Sequence, residues 1–374
     1  MLYEGKVALN IEVEEIPTRN SRVFYNPHMR LSRDLSVGVV AVYAKRVNQP
    51  LTICDALSGC GVRGLRYGLE VPQVNRVVLN DVNPHAYEKL CEHIELNKCS
   101  TERYSAYCED ANVLLHRMRN QFDVIDIDPF GSFLPFLDAA LDGIRWGGLL
   151  CLVATDTAVP CGVYPRTCRR HYGVTSLQTS YRHELALRIY VSTVIQRSAQ
   201  LDYAFRPVMS LFQQHYVRLF GIVIPKAYEA DKLLDEFGFV YHCFRCEFRT
   251  LSKRPLHECP YCLRVMRRVG PVWLGALTDG EFARDVVDEL KRRDYQDAAR
   301  LAGLLADESK ILTPFYDIHA LASIWDVSPP SMVRLLMELE DRGYRATRTH
   351  FSGIGIKTDA PLDELRKAMM KVAQ

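Results

Sequence analysis

Five short apolar runs, each closing on a turn or a carboxylate and most followed by a helix-forming stretch, dominate the first half of the chain. The runs are Leu51 to Leu57 with Asp55 inside it, Val74 to Asp81, Ser105 to Cys108 leading into Asp110, Phe122 to Asp128, and Leu149 to Asp156. Between them, helices are expected from Val62 to Glu70, from Ala86 to Asn97 behind Pro84, from Asn112 to about Arg119, and from Phe133 to Ile144. Strands that alternate with helices at this pitch build a parallel sheet covered by helices on both faces. In such a sheet, chemistry collects in the crevice beyond the carboxyl ends of the strands. The fold class is therefore α/β, and the residues that end the runs are the ones to follow.

A chain of 374 residues exceeds one comfortable core, so two domains are expected, 1–225 and 226–374, divided near Pro225. In the first, edge strands run to about Ile16, a turn lies at Val23 to Pro27, and a helix spans Arg33 to Arg46. A long helix from Glu184 to Leu201 and two β-rich runs, Arg206 to Phe212 and Tyr216 to Ile224, complete it as an antiparallel hairpin. The second domain is a smaller α+β unit with a cysteine-rich insert over about 240–268 and a helical stretch from Asp279 to Ala306. Its end reads helix, tight turn, helix, β-wing, a winged-helix-like order over Ile318 to Lys357.

Gly59-x-Gly61-x-x-Gly64 follows the first of the five runs, and Asp81 ends the next. Glycines at these positions let backbone approach a nucleotide cofactor, and the second acid accepts hydrogen bonds from ribose hydroxyls. That pattern alone does not separate a nicotinamide enzyme from one using S-adenosylmethionine (SAM). Asp126 to Gly131 reads Asp-Ile-Asp-Pro-Phe-Gly. A carboxylate, a turn fixed by proline and an aromatic face together suit a flat base with an exocyclic amine. Of the two acids, Asp128 adjoins the Pro-Phe pair and is the candidate for chemistry, with Asp126 in support.

Cys243-x2-Cys246-x12-Cys259-x2-Cys262 supplies the four thiolates of a closed, structural zinc site. The gap between the two pairs is short for such ribbons, which leaves His242 or His257 open as a substitute ligand. The other cysteines are scattered, and twelve in a chain without a signal-peptide-like start fit a reducing cytoplasm. No apolar run approaches the roughly 20 residues that span a bilayer. A net charge of +2 proves no polyanionic partner, but a local basic stretch from Arg245 to Arg268 hints at nucleic acid. Arg182, Arg188 and Arg197 on the long helix read as a solvated face. Phosphate-loop and α/β-hydrolase nucleophile motifs are missing.

Asp55, four residues ahead of Gly59, resembles the acid of the first motif of class I methyltransferases, close to the methionine end of SAM; Asp110 would meet the adenine amine, and Asp128 the transferable methyl. Over nearly its full length the chain resembles the archaeal tRNA guanine-26 N2-dimethyltransferase family. The resemblance rests on Val23-Phe-Tyr-Asn-Pro27, Arg33-Asp-Leu-Ser, Asp55-Ala-Leu-Ser, Gly61-Val-Arg63-Gly-Leu-Arg66, Leu79-Asn-Asp81, Asp110-Ala-Asn, Asp128-Pro-Phe-Gly-Ser, Ala154-Thr-Asp156 and Tyr344 to Phe351. It implies a Rossmann-like domain, a tRNA partner and SAM as methyl donor. It further implies that Arg33, Arg63, Asp81, Asp110 and Ala111 contact SAM with Phe24 nearby, that Asp128 is catalytic, and that Pro129 and Phe130 form the base site. The cysteines match the zinc positions of those members that have them. A cytoplasmic monomer without membrane attachment is the expected form. The competing readings are an amino-methyltransferase on another RNA or DNA base, a non-enzymatic binder joining zinc ribbon and winged helix, and a nicotinamide dehydrogenase.

Overall fold

The computed structural model describes residues 1–11 and 23–373, so the outer part of the first expected strand region lies outside the described residues. Strands β1 (Leu2–Glu4) and β2 (Val7–Leu9) pair antiparallel. Asn26 caps a single 3-10 turn at Pro27–Met29 by accepting from the His28 N–H at 2.9 Å. The turn runs straight into α1 (Arg30–Val47), which starts three residues earlier than its apolar spacing suggests.

The central unit follows in the expected alternation. Its elements are β3 (Leu51–Asp55), α2 (Val62–Glu70), β4 (Val74–Asn80), α3 (Pro84–Leu96), β5 (Tyr104–Tyr107), α4 (Ala111–Arg117), β6 (Phe122–Ile127), α5 (Leu134–Gly143) and β7 (Ile144–Ala154). After α6 (Pro165–Tyr172) and α7 (Arg182–Ala199) comes the hairpin of β8 (Ala204–Gln213) and β9 (Tyr216–Ile224). The sheet order is β5-β4-β3-β6-β7-β9-β8. Strands β3 to β7 run parallel, and β9 is antiparallel to both neighbours. The chain winds outward from β3 to β5, then returns to lay β6 on the other side of β3. The reversal opens a crevice at the carboxyl ends of β3 and β6, where ligands bind in open α/β sheets. Successive residues face opposite layers: Cys54, Ile125 and Leu150 pack with α5 and α7, whereas Ile53, Val124 and Leu149 pack with α1 and α2.

Strand β7 begins five residues before Leu149. Gly147-Gly148 lies within it and forms a bulge, with Gly147 at φ +79° and a register shift opposite Phe122 and Val124.

The second half starts with α8 (Ala227–Asp235), then an antiparallel sheet of β10 (Phe237–His242), β11 (Arg249–Ser252) and β12 (Arg267–Trp273). The expected single helical stretch is two helices, α9 (Gly280–Arg292) and α10 (Gln296–Glu308), separated at Asp294, which has φ +61°. Both belong to the core that contains α1. Lys45 and Arg46 of α1 pair with Glu289 and Asp285 of α9 at 2.5 and 2.7 Å. Gly38 is what allows the close crossing, since a Cβ there would lie 2.6 Å from Leu290 Cδ2. The chain finishes with β13 (Tyr316–Asp317), α11 (Ile318–Trp325), α12 (Met332–Asp341), β14 (Ala346–Thr349), β15 (Ser352–Thr358) and α13 (Leu362–Val372), giving the helix-turn-helix and wing order over a small core of its own.

Candidate active site

At the end of β3 the chain turns sharply. Gly59 and Gly61 take φ +55° and +80°, a region that costs other residues strain. Close approach also excludes larger residues: a Cβ on Gly59 would stand 3.0 Å from the Phe24 carbonyl, and one on Gly64 would collide with Leu79 and crowd Asp55. Asp81, at the end of β4, accepts from the Gly59 N–H at 2.9 Å and from the Asn83 N–H at 2.9 Å. It thus shapes the glycine turn it faces. Asp110 caps α4, accepting from Asn112 and Val113 N–H groups through one oxygen, while Ala111 sits buried in the first turn. Buried Asn80 ties these strand ends together by donating to the Ala56 and Glu109 carbonyls at 3.0 Å each.

Between β3 and β6 lies a buried ionic lock. Arg218, projecting from β9, grips both oxygens of Asp126, and the Tyr67 hydroxyl donates to the same carboxylate at 2.7 Å. Arg63 donates to Asp128 and, at 3.1 Å, to the Ser36 hydroxyl, with its Nε 3.8 Å from Asp126. Asp55 accepts from the Gly64 N–H at 2.9 Å. Asp55, Asp126, Arg63 and Arg218 are all buried, whereas the Asp128 side chain keeps 25% of its exposure. Burial opposes ionisation of Asp126, but Arg218 and Arg63 hold its carboxyl below the usual range. Asp55 has no ion pair of its own, and Arg63 lowers it by less than burial raises it. Burial, with Asp126 beside it, pushes Asp55 up to about 7. Three carboxyl groups thus share two guanidinium groups, and Asp55 is the one left without an ion-pair partner.

Asp128 opens the turn to α5. Pro129 is buried and Phe130 is 51% exposed, its ring 4.8 Å edge-on from that of Phe24. The turn is fastened to the end of β7: Gly131 donates to Thr155 Oγ1 and accepts from the Thr155 N–H, both at 2.8 Å. Asp156 accepts from the Tyr172 and Tyr190 hydroxyls at 2.6 Å each, and the Tyr172 oxygen lies 3.1 Å from Ser132 Oγ. Arg33, expected against the cofactor, is held by Glu4 through Nε at 2.6 Å and Nη2 at 2.5 Å. Burial would raise Glu4, but Arg33 and Arg66 bring it down to about 2.

The structure therefore gathers Asp55, Gly59, Gly61, Arg63, Asp81, Asp110, Ala111, Asp128, Pro129, Phe130 and Phe24 along one rim and leaves Arg33 one step behind it on Glu4. Arg218 escaped the sequence reading. Its signal was available, a single cation inside the apolar strand from Tyr216 to Ile224.

The four cysteines converge on a second centre. Their sulfurs all lie within 4.8 Å of one another, with Cys243 to Cys262 at 3.4 Å and Cys246 to Cys259 at 3.5 Å. Tetrahedral zinc with sulfur at about 2.3 Å needs sulfurs about 3.8 Å apart, so the set fits that ion with all four positions filled by protein. The backbone N–H of Arg264 brings the Cys262 thiol down to about 7, favouring the thiolate that a metal requires. Neither His242 nor His257 is in the cluster among the described residues. No described helix is long and apolar enough to cross a membrane.

A family model described as N2,N2-dimethylguanosine tRNA methyltransferase matches residues 5–370. The chain belongs to that family. Among members similar to it, the tRNA (guanine(26)-N(2))-dimethyltransferase of Methanosphaera stadtmanae is 36% identical over 100% of this chain and 97% of its own. The tRNA (guanine(26)-N(2)/guanine(27)-N(2))-dimethyltransferase of Aquifex aeolicus is 34% identical over 96% and 93%. The structure of Trm1 from Pyrococcus horikoshii with S-adenosyl-L-methionine superposes with a TM-score of 0.86 at 32% identity, covering 98% of this chain and 99% of that one. For a member of this family, a glycine-lined crevice one positive charge short is a fitting place for a cationic sulfonium cofactor.

Proposed function

We propose that the chain transfers methyl groups from SAM to the exocyclic N2 of guanine 26 in tRNA, twice in succession. The observation that carries this is the uncompensated carboxylate among Asp55, Asp126 and Asp128, beside the glycine turn. SAM brings an ammonium and a sulfonium against a single carboxylate, so it supplies the missing positive charge. End-to-end likeness to proteins named for this activity supports the substrate.

In this reading Asp55, Gly59, Gly61, Arg63, Asp81, Asp110, Ala111 and Phe24 line the cofactor side, with Arg33 holding that side from behind. Bound SAM supplies an electrophilic methyl group. Guanine N2 is a weak nucleophile because its lone pair is spread into the ring. Asp128 Oδ2 is occupied by Arg63, and Oδ1 remains to accept an N–H of the amine. Accepting that bond draws the lone pair out of conjugation with the ring; as N2 took the methyl, the S–CH3 bond of SAM would break to leave the neutral thioether S-adenosylhomocysteine, and the N2 proton would pass to Asp128 and on to solvent. Proton acceptance of this kind contributes on the order of 10²–10⁴-fold. Exposed Phe130 gives the base a face to stack on, with Pro129 fixing the turn. A guanine in folded tRNA must leave its stack to reach this rim. The monomethylated amine keeps one N–H, which lets Asp128 serve the second transfer.

Residues 1–225 hold the chemistry and 226–374 extend the surface toward tRNA, in a cytoplasmic monomer. Asp128→Ala is expected to bind SAM within about threefold of wild type while methyl incorporation into tRNA falls by at least ~100-fold. Mass analysis of the nucleosides from tRNAs with guanine 26 or 27 replaced identifies the target. Near-normal turnover by the variant, or methylation indifferent to both guanines, would sink the assignment.

A further inference from the structure

The basic stretch expected between Arg245 and Arg268 is partly spent within the fold. Arg249 is enclosed between the Tyr181 and Tyr316 rings at 4.2 and 4.3 Å and bonded to Glu247. Lys253 pairs with Glu236, and Arg268 lies over Phe239. Nor is the long helix α7 a cationic face: Arg188 is buried against Glu184 and three carbonyls, and Arg197 pairs with Asp138.

Another set of unneutralised cations lies outside that stretch. From residue 157 to residue 183 the chain carries Arg166, Arg169, Arg170 and Arg182 and not one Asp or Glu, a local +4 in a chain whose net charge is +2. Helix α6 lies in this stretch. Arg166, Arg169 and Arg170 occupy positions i, i+3 and i+4 and therefore share one face, with side chains about 5–6 Å apart. All three are exposed, and none has a carboxylate within ion-pair distance among the described residues. Cys168 and Tyr172, on the opposite face, are buried. Exposed Val163 and Tyr164 precede the helix, the kind of apolar and aromatic surface on which an unstacked base rests.

The helix is also next to the chemistry. Tyr172, at its last turn, bonds Asp156 at 2.6 Å and touches Ser132 at 3.1 Å, and Ser132 follows directly on Asp128-Pro-Phe-Gly. We propose that the arginine face of α6 is a phosphate-docking ridge, on which Arg166, Arg169 and Arg170 hold backbone phosphates of the tRNA flanking the guanine presented to Asp128. The inference rests on tRNA being the substrate. Like charges at this spacing repel weakly on an exposed face, a repulsion that a polyanion relieves, and phosphate contacts of this sort set register without reading sequence.

The test compares the triple variant R166Q/R169Q/R170Q with its R166K/R169K/R170K counterpart in steady-state methylation of full-length tRNA at several salt concentrations. The Gln variant should raise KM for tRNA about tenfold or more, keep kcat within about threefold, and bind SAM as wild type does. Its dependence of log KM on log salt should be shallower by about 2, the counter-ion equivalent of three lost phosphate contacts. The Lys variant should recover most of the affinity. An unchanged KM and salt slope overturns the proposal. So does a fall in kcat with KM intact, which would mean that α6 acts only through the Tyr172 contact to Ser132. Wild-type protein assayed on the same tRNA separates the two levels: failure to methylate it at all would remove the tRNA reading itself.

Discussion

At the carboxyl end of β6 the Arg218–Asp126 pair is closed by the chain alone; in the loops between β10 and β12 four sulfurs face one another and ask for an ion. Arg218 reaches Asp126 across 92 residues of sequence, and every atom of the contact comes from the fold. The cysteine pairs sit on two short loops with only a small core, Tyr241, Cys243, Cys259 and Met266, beneath them. The lock can form only when β3, β6 and β9 are already in register, so it records the state of the whole sheet. The cysteine site instead lends order to two loops whose own core is small, on strands that reach the main core through Val240, Val269 and Val272. The difference separates them: the first depends on the register of the whole sheet, the second on the order of two loops.

The sharpest way to break this contrast is to take the metal away. Structural zinc is linked to on the order of 10 kcal/mol of local folding free energy. A chelator, or Cys243→Ser, should therefore release amide exchange across β10 to β12 while SAM affinity stays within about twofold. Loss of SAM binding along with the metal would show that the two centres are one unit. Arg218→Met tests the other side. Breaking a buried pair by removing one partner costs about 3–5 kcal/mol, because Asp126 is left charged in a dry interior. Thermal unfolding should show that loss globally, with zinc content unchanged; a drop confined to the second half would contradict the assignment of the lock to the sheet.

Much of this was legible before any coordinates, and for local reasons. Runs such as Phe122 to Ile127 are short, β-branched and cut off by Pro129 and Gly131, so strand ends and their acids could be placed from neighbours in sequence. The cysteine spacing is likewise a local signal, and the four residues it names do converge. What stayed hidden depends on tertiary partners. Arg188 sits on a helix with an ordinary polar pattern, yet it is buried because the carbonyls of Trp273, Gly275 and Leu312 wait for it. Helix α6 has only eight residues between Pro165 and Gly173, too short for periodicity to announce it. Glu4 finds Arg33 and Arg66 at 29 and 62 residues' remove. Gly147 reads as a break and acts as a bulge, because the neighbouring strand continues past it.

The smallest expected effect concerns the carboxylate that the lock leaves over. Asp55 is raised to about 7 in the protein without ligand, against about 4 in an unfolded chain. As pH rises from about 4 toward 7 the unfolded chain releases this proton first, so the group's contribution to stability declines across that window. Binding has the opposite sign. A cationic cofactor beside Asp55 favours the ionised form, so complex formation expels the proton wherever the free protein still holds it. SAM affinity should accordingly climb as pH rises toward 7, by up to tenfold or about 1.4 kcal/mol per unit, and level off above. Asp55→Asn keeps an acceptor for the Gly64 N–H but has no proton to lose, and its binding should be weaker and flat across the same range. Calorimetry in buffers of different ionisation enthalpy counts the proton directly. If wild type released none below pH 7, the missing positive charge would have to be sought elsewhere on the rim, and the lock would be complete without its ligand.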